Sequence, residues 1–183
     1  MDLYWVTALL YFIATVFYMS HIWTESRTGS RVGFYTVVLG TIVQSVSIVA
    51  LYLKGDTLAG GLDTTLYLFA LLITIVFIGS QLIFNAPLLG AFVSPLAFIM
   101  TLPHVILPQG IIEHEPSLGN PWILIHIVLI LLGEALFTVA FISGLMYLFQ
   151  EQRIKSKRVG SLLQKFPSLT TLDKINHVCL IIG

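Results

Sequence analysis

The chain has 183 residues, 57% of them hydrophobic and 10% charged, and its formal net charge is zero. A water-soluble domain carries about 25% charged residues, so the composition excludes an ordinary soluble fold and makes lipid the solvent for most of the chain. The balanced charge offers no basic surface for nucleic acid. A single cysteine, Cys179, excludes both an internal disulfide framework and a Cys-x-x-Cys-His attachment motif.

Residues 3–23 contain no Asp, Glu, Lys or Arg, and a run of that length crosses a hydrocarbon core of roughly 30 Å. It follows Asp2 without a basic segment and is too long for the core of a cleaved leader, so it reads as a permanent helix. A polar stretch precedes the second charge-free run, 32–53, and a glycine-bearing turn leads to Asp63. Residues 64–106 carry no charged side chain, which is too long for one ordinary span. Asn85, Pro87 and Gly90 lie in its middle, and proline breaks the hydrogen-bond ladder. The run therefore divides into helices over 64–84 and 90–106, the second carrying Pro95 and Pro103 as kink points.

A polar loop over 107–120 leads to a fifth helix, 121–150, opened by Pro121 and by Trp122, a residue type favoured at membrane interfaces. The basic segment that follows carries Val159, Leu162, Leu163 and Phe166, which suit a short amphipathic helix on the membrane surface or a solvated linker. A last apolar stretch runs from Ile175 to Gly183, too short to span, and reads as the start of a truncated sixth helix. The expected fold is all-α: a polytopic transmembrane helix bundle of five full spans plus a truncated sixth, in one membrane domain over 1–183.

Eight of the nine Lys and Arg residues lie in segments after odd-numbered helices, and only Lys54 lies after an even-numbered one. The positive-inside rule makes the basic side cytoplasmic and puts the N-terminus outside. The acids Asp56, Asp63, Glu113 and Glu115 then fall on the outer side.

In that topology His104, His114 and His126 cluster near the outer surface, and His21 and His177 near the inner one. Neutral imidazole is a good axial ligand for haem iron, although an interfacial histidine more often reaches headgroups or backbone carbonyls. Glu134 is the only formal charge inside a span, ~20 Å along the fifth helix from Pro121. A carboxylate there costs a few kcal/mol, so it is expected to be protonated or paired inside the bundle, either as a partner for a ligand or bonded to a neighbouring Ser or Thr. Gln44 and Asn85 are polar groups of the kind that hydrogen-bond between membrane helices. There is no phosphate-binding glycine loop, no His-Glu-x-x-His and no nucleophile elbow.

Three runs carry a resemblance. PWILIHIVLILLG (121–133) resembles the Trp/Leu-x-x-His-Val segment of the cytochrome c assembly family, whose members include the CcsA (ResC) and HemX types. MYLFQEQRIK (146–155) resembles the family's "YLLQERRLK" run, and FPSLTTLDKIN (166–176) its "LPSLETLDRLN" run, in the same order. The resemblance implies a haem-handling protein of the bacterial cytoplasmic (inner) membrane. It would work with a CcsB/ResB-type membrane protein to present haem b at the outer face to apocytochrome c. His126 occupies the position of an axial haem-iron ligand, and His104 and Glu134 are further candidates for contact with the cofactor. The HemX alternative is a regulatory or scaffold protein of haem synthesis without synthetase activity. The family's tryptophan-rich segment and second outer histidine do not occur within these residues, and Gln44 stands where members often have histidine. A transporter subunit ranks last, because no paired inverted repeats are evident.

Overall fold

The structure is a computed structural model that describes residues 3–24, 27–53, 61–107, 121–155 and 167–183. Among these residues there are six α-helices: α1 (Leu3–Thr24), α2 (Arg27–Leu53), α3 (Leu62–Phe84), α4 (Gly90–Ile106), α5 (Pro121–Lys155) and α6 (Leu169–Ile182). Five helical segments, with α4 extended by the turn before it, are long and apolar enough to cross a membrane, and no strand occurs among the described residues. The all-helical membrane fold expected from the charge-free runs is therefore present.

Helix ends in water depart from the span limits. α2 starts at Arg27 rather than residue 32, and α5 continues to Lys155 rather than residue 150. Absence of charge marks where lipid must begin, not where backbone hydrogen bonding stops. The last turn of α5 is supported on its polar side by Lys155 donating to Glu151 at 2.7 Å and by the Arg153 guanidinium 5.0 Å from the Phe149 ring centroid. α6 begins six residues before the expected Ile175, because Ser168 caps it: its hydroxyl accepts from the Thr171 backbone N–H at 3.1 Å. Leu172, Ile175 and Cys179 then form its buried face. The surface helix considered for 158–174 falls partly on residues outside those described; its described end belongs to α6.

The break between α3 and α4 comes where Asn85 and Pro87 put it. Asn85 closes α3 in the left-handed conformation (φ 51°, ψ 50°), and its N–H bonds back to the Gln81 carbonyl at 3.0 Å. Pro87 opens a three-residue 3-10 turn, and α4 follows with Pro95 and Pro103 inside one continuous helix. Tyr18 of α1 wedges against this junction. A Cβ on Gly90 would clash with its ring, and one on Gly33 of α2 would sit 3.0 Å from it. Glycine at both places lets three helices close on one aromatic ring.

α1 packs between α2 and α4, and α3 between α2, α4 and α5. α6 runs back along α5 until Gly183 meets Gly133, where a Cβ on Gly133 would lie 3.5 Å from the Gly183 carbonyl oxygen. The core face of α1 is Thr7, Tyr11, Ala14 and Tyr18, the i, i+3, i+4 repeat of a helix buried on one side. α5 buries the smallest share of the five spans. It meets the bundle through Ala135, Val139, Ser143, Met146 and Gln150 and leaves the opposite side uncovered.

Candidate functional site

Alternate helices run in opposite directions, so the starts of α1, α3 and α5 and the ends of α2 and α4 share one end of the bundle. At that end His104 and Asp63 meet. α4 supplies the imidazole from its last turn and α3 the carboxylate from its first, and Nδ1 lies 2.9 Å from Oδ2. The imidazole is buried, stacked on Tyr67 (centroids 4.6 Å, 25° between planes) and met edge-on by Tyr4 (4.6 Å, 88°). His104 thus faces the bundle interior and ties α3 to α4, with α1 covering it. The pair is a fixed hydrogen-bonded clamp between helices.

A buried polar chain continues from Tyr67 into the membrane. The Gln44 side-chain N–H donates to the Tyr67 carbonyl at 2.8 Å, and its oxygen accepts from the Tyr11 hydroxyl at 2.6 Å. Thr41 donates to Thr74 at 3.1 Å, and both hydroxyls lie within 3.5 Å of Tyr11 Oη. The Tyr67 hydroxyl donates to Thr7 at 3.4 Å. Gln44 is fully buried with both ends of its amide engaged, so it serves helix association. This network was legible only as the polarity of Gln44. Asn85 does not bond across helices among the described contacts; it caps α3.

His126 lies on the first turns of α5 and is exposed. No hydrogen bond or ring contact to it occurs among the described residues, and its surroundings on the helix are the exposed Trp122, Ile125, Leu129 and Ile130. Glu134, expected to be protonated or paired inside the bundle, instead faces outward two turns further on and is also exposed. Its backbone carbonyl accepts from the Thr138 hydroxyl at 2.7 Å, while its carboxyl has no described partner. α5 is apolar around its whole circumference, so its sequence did not specify which side would face the other helices. The structure therefore brings His126 and Glu134 onto one outward strip and keeps His104 apart from both, in the core.

His21 lies at the end of α1, His177 is exposed on α6, and His114 falls outside the described residues. No group of three or more His, Cys, Asp or Glu side chains able to hold a metal ion occurs among the described residues. Beside the outward strip, α5 and α6 enclose an open cleft of about 650 Å3 lined by Phe137, Phe141, Gly144, Tyr147, Asp173 and Asn176.

A family model described as "Cytochrome C assembly protein" matches residues 3–183. Two similar curated proteins are both described as "Protein HemX". That of Brevibacillus brevis is 25% identical over 93% of this chain and 64% of its own length. That of Bacillus subtilis is 23% identical over 97% of this chain and 65% of its own length. The chain thus spans a little under two thirds of the relatives it matches. No solved structure matches it.

Proposed function

The chain belongs to the cytochrome c assembly protein family, and from that premise we propose that it is a haem-handling membrane protein with His126 as an axial ligand of haem iron. The observation that carries the reading is the state of His126: an exposed imidazole with no described protein partner, at the end of a membrane helix and flanked by exposed apolar side chains. Imidazole supplies iron with a nitrogen ligand. The apolar strip around it offers contact surface to a porphyrin, and the last turns before the aqueous boundary leave room for carboxylate substituents in water. The residues fit one axial position. The remaining candidates play other parts: His104 holds Asp63, and Glu134 lies on the strip but two turns deeper.

On this reading the chain sits in the bacterial cytoplasmic membrane with its N-terminus outside, and His126 opens to the outer face. There it holds haem b for transfer to apocytochrome c beside a CcsB/ResB-type partner. What the bound group supplies is the reactive vinyl edge for thioether attachment. What this chain supplies is the imidazole, a dry apolar wall, and a rigid α5 that fixes their depth. A second reading is favoured by a specific finding: both curated relatives carry the name HemX. A HemX-like protein would act on haem synthesis as a regulator or scaffold and attach haem to nothing.

A visible spectrum of the detergent-purified chain beside His126→Ala tests the ligand. A Soret band that is lost or shifted in the variant supports ligation, and the same band in both removes His126 from the role. Adding apocytochrome c and a CcsB-type protein then separates the readings, since covalent haem on the cytochrome marks the first and its absence with haem still bound marks the second.

A further inference from the structure

An apolar crevice of about 520 Å3 lies between the first turn of α4 and the second half of α5. Phe92 forms one wall, and Ile142, Leu145, Met146, Phe149 and Gln152 belong to the other. From Ile142 to Gln152 the crevice runs ~15 Å along α5, half of a hydrocarbon core of roughly 30 Å. It is therefore one leaflet long. Its apolar side chains lie at tail depth, and the Gln152 amide lies at the end towards water.

The rim at that end is cationic. The Arg153 guanidinium sits 5.0 Å from the centroid of the Phe149 ring, which itself lines the crevice. Arg153, Lys155, Lys157 and Arg158 fall within six residues, and Glu151 is the single acid between Ile142 and Arg158. That acid already accepts from Lys155 at 2.7 Å. Four or more cations clustered beside a membrane helix attract anionic headgroups. An arginine presents five donors in a planar fork that suits phosphate, so Arg153 can take a phosphate oxygen beside the contacts it already makes.

We propose that the crevice seats an anionic phospholipid, with one acyl chain between Phe92 and α5 and the phosphate on Arg153 and Gln152. Volume separates a lipid tail from a polypeptide helix as the occupant. A helix ~10 Å across fills ~1,200 Å3 over the same length, more than twice the space between these walls. The order of groups also matches a phospholipid, with hydrocarbon contact through one leaflet and positive charge at its edge. The distribution of basic residues makes that leaflet the cytoplasmic one. The seat lies at the opposite end of α5 from His126 and is independent of the haem reading.

Native mass spectrometry of the detergent-purified chain tests the seat, with phosphatidylglycerol and phosphatidylcholine of the same acyl chains supplied in equal amounts. The wild type is expected to retain phosphatidylglycerol in preference. Arg153→Gln should lower that retention about tenfold and bring it level with phosphatidylcholine. Arg31→Gln, which removes an exposed cation from α2 at the same end of the bundle, should leave it unchanged. Phe92→Ala and Leu145→Ala, which cut back the two walls, should each lower retention of both lipids about fivefold. Both side chains are about half exposed, and circular dichroism on each variant separates loss of the seat from loss of fold. Equal retention of the two lipids by the wild type would overturn the proposal. So would an Arg31→Gln effect as large as that of Arg153→Gln, which would reduce the preference to diffuse surface charge. Unchanged retention in both wall variants would remove the crevice from the role, and displacement of the lipid by added haem would give the crevice to a tetrapyrrole instead.

Discussion

Two tyrosines on the same face of α1 have opposite energetic signs. Tyr11 donates its hydroxyl to Gln44 at 2.6 Å, whereas the Tyr18 hydroxyl is buried with no hydrogen-bond partner among the described residues. A satisfied buried hydroxyl contributes about 1 kcal/mol, and an unsatisfied one costs about 1–3 kcal/mol. Tyr11→Phe is therefore expected to lower the thermal midpoint in detergent. Tyr18→Phe is expected to leave it unchanged or raise it, because the ring contacts with Phe77, Gly33 and Gly90 remain. A fall in both would mean that the Tyr18 hydroxyl has a partner. Asp63 and His104 give a second residue-scale test. His104→Ala leaves a half-buried carboxylate without its 2.9 Å contact. A double-mutant cycle with Asp63→Asn is expected to show about 0.5–3 kcal/mol of coupling, and a value indistinguishable from zero would reduce the pair to mere proximity. The pair was within reach of the sequence, since antiparallel neighbours α3 and α4 put the first turn of one beside the last turn of the other. What hid it was reading His104 by depth alone, as a candidate for cofactor contact near the outer surface.

At the scale of elements, the breaks were the legible part and the rotations were not. Asn85 and Pro87 located the α3–α4 turn because left-handed backbone and a missing N–H are local requirements that composition displays. Asn85→Gly should preserve stability, while Asn85→Val, β-branched at positive φ, should cost about 1–2 kcal/mol; equal chemical-denaturation midpoints for the two variants would count against the left-handed cap. The start of α6 was missed because its cap, Ser168, lies among other hydroxyl residues and only the bond to Thr171 distinguishes it. Ser168→Ala is expected to weaken α6 by about 1 kcal/mol, seen as faster amide exchange over residues 169–175. The facing of α5 had no signature at all. A helix apolar all round can turn any side inward, and packing against α3 and α6 decided that Ala135 and Val139 go in while His126 and Glu134 stay out.

For the whole molecule, sidedness rests on charge. The distribution of basic residues predicts that residues 156–166 face the cytoplasm and residues 108–120 the outside. Membrane-impermeant thiol labelling of single cysteines placed in each segment checks this in intact cells. Labelling at 108–120 and protection at 156–166 is the expected pattern, and its reverse would put His126 on the cytoplasmic side and end the case for presenting haem outside. The span count was legible because lipid tolerates so few charges that their absence draws the boundaries. The partner of the outward strip was not, because a sequence records what a helix carries and not what stands opposite it.

The buried bond between Tyr11 and Gln44 bears on how the protein is made. Both residues belong to α1 and α2, which leave the ribosome ahead of α3. Their polar ends satisfy each other within that hairpin, so α1 and α2 can pass from the insertion machinery into lipid together. The Gln44 amide N–H is left over, and the carbonyl that takes it belongs to Tyr67 of the third helix. The hairpin thus enters the bilayer carrying an unfilled valence that only α3 can close, which makes the arrival of the third helix the step that commits the bundle to its final arrangement.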